Sequence, residues 1–179
     1  MALTATIYNF DIDLADNDRG VYESLALRVA RHPSESEPYL LTRVLAYALE
    51  FADGIEFSKG LSMPDEPAIT TRDMTGSLHA WIEIGNPDPE RLHRASKASP
   101  RVAVYTHRDP TQLLGRLRGQ KIHRAADVEL WAVDPELLAA LGQRLDRRMA
   151  FSLSVTDREL YISIGTETLT GRVVRHSIE

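Results

Sequence analysis

A chain of 179 residues with a formal charge of −5 is long enough for one compact domain with a sizeable core and too short for two full ones. It contains no cysteine, which excludes disulfides and thiolate metal sites and fits a reducing compartment. No apolar run approaches the about 20 residues of a membrane span, and the N-terminal residues lack the basic and apolar regions of a signal peptide, so a cytoplasmic protein without a membrane partner is expected.

Residues 3–14 alternate in polarity, the stretch 16–20 reads as a turn, and Tyr22 to Arg31 alternates again, which predicts an opening hairpin. His32-Pro33-Ser34 breaks it. Ser34 and Glu37 have the spacing of a capping box, and Leu40, Leu41, Val44, Leu45, Ala48 and Leu49 give the following helix a broad apolar stripe to about Ala52. Asp53-Gly54 stops this helix. A short strand is expected at 55–57, a proline-rich loop from Lys59 to Pro67, and a second hairpin from Ile69 to Asp73 and Ser77 to Ile84.

Within that hairpin Leu78, Ala80, Ile82 and Ile84 form the core face, and His79, Trp81 and Glu83 point the other way. Asp88-Pro89 reads as N-cap and first residue of a helix running to about Ser99. The apolar run Val102 to Tyr105 suits a buried strand parallel to the one holding Glu83. A short helix from Pro110, a strand from Asp127 to Val133 and a helix capped by Asp134-Pro135 follow. The C-terminal strands at 151–155, 160–164 and 169–174 are expected to join the opening hairpin in a second sheet.

Two features carry chemistry. Glu83 stands at the end of a strand, where sites tend to lie in mixed sheets. If the next helix folds back along that strand, its rise of about 1.5 Å per residue against about 3.3 Å in the strand brings Lys97 within side-chain reach of Glu83. Asp73, across a tight turn, is expected to close the constellation. The second feature is charge asymmetry: residues 91–124 hold nine of the 21 basic residues and a single acid, Asp109, a segment of +8 against −13 elsewhere. Such a segment beside carboxylates suits phosphodiester binding, although a solvated basic face has the same composition.

Each site residue has an ordinary structural role available as well. Asp73 is placed to bond the backbone of its own turn, Glu35 suits the first turn of a helix, and Lys97 suits a helix C-terminus. Arg43 interrupts an apolar stripe, either pairing with an acid or extending to solvent. Asp65 and Glu66, in the Pro64-Asp65-Glu66-Pro67 loop, rank below Asp73 as ligands and are expected to shape the loop. The six histidines show no zinc spacing, and no nucleotide or hydrolase fingerprint occurs.

A set of short segments spread over nearly the whole chain resembles the YaeQ family of small bacterial proteins. They are residues 2–8, Ala30-Arg31-His32-Pro33-Ser34-Glu35, Arg43 to Ala48, Lys59-Gly60-Leu61-Ser62, Asp65-Glu66-Pro67, Asp73-Met74-Thr75-Gly76, Trp81-Ile82-Glu83-Ile84-Gly85 and Lys97-Ala98. With the order helix, three strands, helix, strand, the resemblance implies an α+β fold with the αβββαβ core of PD-(D/E)XK nucleases. It implies a single domain over 1–179, with the core at about 33–134 and a second, antiparallel sheet from about 3–31 and 150–175.

The same resemblance implies Mg²⁺ (or Mn²⁺) held by Asp73 and Glu83, completed by Glu35. In that superfamily a lysine two residues after the second acid stabilises charge; here the position is Gly85, and Lys97 is the expected substitute. Arg91, Arg94, Arg101, Arg116, Arg118 and Lys121 are expected to grip a nucleic-acid backbone. The reading is a Mg²⁺-dependent nuclease acting on DNA or RNA. The alternatives are a non-catalytic nucleic-acid-binding or regulatory protein on the same fold, and a protein-interaction module whose basic segment meets an acidic partner.

Overall fold

The computed structural model describes residues 4–58 and 66–179. It is an α+β protein whose chain divides into two compact units, Met1–Leu49 with Val133–Val173, and Glu50–Ala132 with Val174–Glu179. Among the described residues no helix is long and apolar enough to cross a membrane.

The first unit is built on alternation. Strands β1 (Thr6–Asp16) and β2 (Val21–Arg31) form the expected hairpin. They turn Phe10, Ile12, Leu14, Leu25, Leu27 and Val29 inward. Helix α1 (Glu37–Leu49) buries the predicted stripe and packs against α4 (Pro135–Gly142), whose Leu137, Leu138 and Leu141 are also buried. The C-terminal strands β8 (Arg148–Thr156), β9 (Glu159–Ile164) and β10 (Glu167–His176) extend the same sheet in the order β2-β1-β8-β9-β10.

Three expectations change here. The sheet is mixed rather than antiparallel, because β8 lies parallel to β1, with Ile12 opposite Phe151. Parallel neighbours need a long crossover, and the rest of the chain supplies it. Helix α1 falls in the unit of the hairpin, not with the following strands as the 33–134 boundary implied. Its cap is Ser36, whose Oγ accepts from the Tyr39 N–H at 3.2 Å, while Ser34 Oγ lies 2.8 Å from His32 Nδ1. Glu35 therefore precedes the helix instead of sitting in its first turn.

The second unit holds β3 (Ile55–Phe57), β4 (Ile69–Arg72), β5 (Leu78–Ile84), α2 (Pro89–Ala98), β6 (Val102–Thr106), α3 (Pro110–Leu117) and β7 (Glu129–Val133, with Val133 counted in the first unit). Strand order is β7-β6-β5-β4-β3. The pairs β3–β4 and β4–β5 are antiparallel, and β5–β6 and β6–β7 are parallel. Asp88, Asp109 and Asp134 cap α2, α3 and α4 by accepting backbone N–H groups, each followed by proline at the first helical position. Leu92 and Ala95 of α2 and Leu113, Leu114 and Leu117 of α3 cover Trp81, Val102, Val104 and Leu130. Both faces of β5 are buried from Ala80 onward, so the face carrying Glu83 is a second core rather than a surface.

Gly54 holds the entry to β3 at φ +88°, and a Cβ there would stand 1.9 Å from the Arg72 carbonyl oxygen. Gly76 has φ +86° and open space around it. Gly54→Ala should destabilise the protein by more than the about 1–3 kcal/mol expected of backbone strain alone, and Gly76→Ala by strain only. Urea denaturation of both variants followed by circular dichroism checks the difference; equal losses would mean that the close approach to Arg72 is relieved without cost.

Candidate functional site

Glu83 is the penultimate residue of β5, in register with Val104 of β6. It is buried. Gly85 then turns the chain at φ +93°, and α2 starts four residues later with its first turn over the C-terminal end of β5. That places Arg91 against Glu83, with Nε 2.8 Å from Oε1. The Trp81 indole Nε1–H donates to the same oxygen at 2.6 Å. The Arg91 guanidinium also donates to the Glu66 carbonyl at 2.6 Å, which brings residue 66 to the strand end. Burial pushes the Glu83 carboxyl above its usual value, opposed first by the Trp81 hydrogen bond and then by Arg91.

Asp73 sits at the opposite end of the hairpin. Its Oδ1 accepts from Thr75 N–H (2.9 Å), Thr75 Oγ1–H (2.6 Å) and Ser77 N–H (2.9 Å), and His79 Nε2 lies 3.3 Å from Oδ2. These bonds, with the Thr75 hydroxyl foremost, lower its carboxyl to about 2. Arg72 pairs with Leu78, and Glu83 lies five residues farther along β5, about 16 Å at the rise of a strand. Asp73 is thus a turn residue, not a partner of Glu83.

Lys97 fails to reach Glu83 for a related reason. A helix that returns antiparallel to β5 carries its last turn away from the strand end, and Lys97 is six residues, about 9 Å, beyond Arg91. It is exposed. Glu35 belongs to the first unit, where Arg43 lies 3.1 Å from Oε2 and the His32 N–H donates to Oε1 at 3.3 Å. Arg43 also donates to the Ala30 carbonyl at 2.9 Å, tying α1 to β2. Burial raises the Glu35 carboxyl, with Arg43 acting against it. Asp65 lies outside the described residues.

Carboxylate oxygens suit Mg²⁺, but Glu35, Asp73 and Glu83 as a trio do not fit one shared ion, since Glu83 and Asp73 occupy opposite ends of one hairpin. Among the described residues no three histidine or acidic side chains are arranged to hold a metal.

The basic segment is less free than its composition suggests. Arg101 lies across two carboxylates: Nη1 and Nη2 meet Glu50 at 2.6 and 2.9 Å, and Nε and Nη2 meet Glu129 at 2.6 and 3.0 Å. The buried Tyr105 hydroxyl donates to Glu50 at 2.7 Å and the Trp131 indole to Glu129 at 3.2 Å. Arg118 donates to the Ile178 and Ser177 carbonyls, and Arg124 to those of Ser96 and Ser99 at the end of α2. Arg91, Arg101 and Arg118, expected to bind nucleic acid, thus make internal contacts. Arg94, Lys97, Arg108, Arg116 and Lys121 are exposed.

Sequence reasoning missed the Trp81 indole as a partner of Glu83, although their i, i+2 spacing on one strand was the available signal. The Glu50–Arg101–Glu129 network joins residues too far apart in sequence to signal their pairing. In the first unit a trough of about 350 Å³ lies over the sheet, lined by Asp11, Asp13, Ser24, Ala26, Ala150 and Ser152 among others.

Residues 1–173 match the family model described as "YaeQ protein". The "Uncharacterized protein YaeQ" of Escherichia coli (strain K12) is 33% identical over 165 residues, covering 91% of each chain. The protein of the same name from Salmonella typhi is 32% identical over 164 residues, with the same coverage. Among solved structures, the YaeQ protein from Pseudomonas syringae superposes with TM-score 0.85 at 28% identity, covering 96% of this chain and 95% of that one. That from Xanthomonas axonopodis pv. citri does so with TM-score 0.82 at 30% identity, covering 97% and 99%. By sequence over nearly its whole length and by fold, the chain belongs to the YaeQ family.

Proposed function

We propose that this protein is a nuclease-like phosphodiesterase acting on DNA or RNA in the cytoplasm, with Glu83 at the centre of its site and Mg²⁺ or Mn²⁺ as cofactor. The observation that carries the reading is a buried carboxylate at the C-terminal end of β5, the strand at which the sheet changes from parallel to antiparallel pairing. In open sheets with parallel strands, ligands commonly bind outside the carboxyl ends of the strands. The order α1, β3, β4, β5, α2, β6 agrees with the αβββαβ core that the resemblance implies.

The roles of the residues differ from those expected. Of Asp73 and Glu83, which share one hairpin, only Glu83 stands at this strand end. Glu83 would supply a carboxylate ligand to a divalent ion, which would neutralise phosphate charge and lower the pKa of a bound water. Arg91 takes the part first given to Lys97: it is the cation beside the acid, and its delocalised, multi-donor head suits a phosphate or a charged intermediate. Asp73 serves the hairpin turn. A second reading, binding without hydrolysis, is favoured by Gly85 at the position of the missing lysine and by the two donors already on Glu83 Oε1.

Cleavage of mixed DNA and RNA substrates with Mg²⁺, Mn²⁺ or EDTA tests the proposal. Metal-dependent cutting should fall at least about 100-fold in Glu83→Gln and about 10-fold or more in Arg91→Ala, the size of a lost electrostatic contribution. Asp73→Asn should cut at the wild-type rate. Absence of any metal-dependent cutting by the wild type, with nucleic-acid binding intact, would leave the second reading in its place. Isothermal titration should likewise show Mg²⁺ or Mn²⁺ binding that Glu83→Gln removes.

The raised pKa of Glu83 has a pH signature of its own. The folded state holds this proton more tightly than the unfolded chain, so its contribution to stability is complete below the ordinary carboxyl pKa and is lost as pH rises through the elevated folded value. Urea melts of wild type and Glu83→Gln should therefore diverge in favour of the variant as pH rises through that window. A constant difference across it would show that Arg91 and Trp81 fully offset the burial.

A further inference from the structure

Two histidines and two lysines meet in the second unit away from Glu83. His93 lies in α2, and its Nδ1 accepts the backbone N–H of His123 at 3.0 Å. The two rings stand edge to face with centroids 6.4 Å apart. Because the Nδ1 lone pair is engaged, the proton of the neutral ring lies on Nε2 as a hydrogen-bond donor. Lys97 follows His93 by one helical turn, and Lys121 precedes His123 by two residues; both lysines are exposed. Burial, followed by the charges of Lys97, Lys121 and His123, lowers the His93 pKa, which favours the neutral ring.

The chemistry of this cluster is that of an anion site. The only acid between residues 91 and 124 is Asp109, and its carboxylate is used to cap α3. Two ammonium groups near one another attract an anion, with Glu90, one turn before His93 in α2, as the acid closest to the cluster along the helix. No large apolar side chain among the exposed ones, Tyr22, Met74, Tyr161 and Val174, belongs to the cluster, so it lacks the anchors on which protein interfaces depend. Lysines with a neutral imidazole donor suit phosphate oxygens, and a run of them suits a phosphate chain.

We infer that His93, Lys97, Lys121 and His123 form a docking surface for the phosphodiester backbone of nucleic acid, so that the far end of α2, and not Arg101 or Arg118, grips the backbone away from Glu83. This rests on the nucleic-acid reading above and assigns Lys97 to binding instead of catalysis. Arg108 offers a comparison, being exposed beyond the C-terminal end of β6, about 16 Å along that strand from the end nearest Lys97.

The test is fluorescence anisotropy with a labelled 20-base-pair DNA duplex and an RNA duplex of the same sequence, in EDTA, at 50–200 mM KCl, with inorganic phosphate as competitor. Lys97→Glu combined with Lys121→Glu should weaken binding about 30-fold or more at low salt, and Lys97→Ala with Lys121→Ala should reduce the slope of log affinity against log salt by about two. Arg108→Glu should change affinity by less than about threefold, the range of a surface charge that makes no contact. His93→Gln, which can still accept from His123 N–H and donate outward, should bind as wild type, while His93→Glu should not.

Thermal melts of each variant separate misfolding from lost contact. Failure of the wild type to bind either duplex at 50 mM salt overturns the inference, as do equal losses in Arg108→Glu and the lysine pair. Displacement of the duplex by a few millimolar phosphate would overturn it in favour of a single-phosphate ligand. The hydrolytic proposal fails separately: binding lost in the lysine pair with no cleavage by the wild type upholds the surface alone, and cleavage with unchanged KM in the lysine pair upholds hydrolysis alone.

Discussion

Parallel strands cannot be joined by a tight turn, and the crossover that joins β5 to β6 decides which cation meets Glu83. The chain leaves the C-terminal end of β5, turns at Gly85 and enters α2 beneath the Asp88 cap. Its first turn must lie beside the end of β5, and its last turn beside the start of β6. Arg91 falls in the first turn and pairs with Glu83; Lys97 falls in the last and faces solvent. The contrast between an acid neutralised at one end of the helix and an open cationic cluster at the other follows from this one connection.

Burial gives that geometry its energetic weight. An ionised carboxylate inside a low-dielectric core is costly unless paired, and Glu83 is paired with a guanidinium and an indole N–H on one oxygen. Glu50 and Glu129 are treated similarly by Arg101, whose proton affinity rises chiefly through its hydrogen bonds to Glu50. Arginine suits these places because its planar, multi-donor head can serve two acceptors together. The basic segment consequently has two populations: arginines that satisfy carboxylates and carbonyls inside, and lysines with a few arginines left outside. Composition gives their sum, and folding separates them.

Much of the architecture was legible because its signals are local. Asp-Pro pairs marked the starts of α2 and α4, alternation marked both hairpins, and the apolar run at 102–105 marked a parallel strand. The parity of Trp81 and Glu83 was legible too, but the burial of their face was not, because α2 and α3 cover it only after the chain has folded. The site was read less well than the fold. Asp73 and Lys97 are each close to Glu83 in sequence, and proximity along the chain does not report which end of a hairpin or helix a residue occupies. The parallel pairing of β1 with β8 and the clamp of Glu50 on Arg101 join residues with no local pattern in common.

Arg124 adds a consequence of a different kind. It adopts a left-handed backbone conformation at φ 49°, and its guanidinium donates to the carbonyls of Ser96 and Ser99, where a helix ordinarily leaves its last acceptors to water. The segment that carries Lys121 and His123 is thereby fastened to the helix that carries His93 and Lys97. The two parts of the chain that carry these four side chains are thus tied together before any ligand arrives, and the entropy of ordering the loop is spent during folding. A preorganised surface of this kind binds at a smaller entropic loss than one that must be assembled on contact.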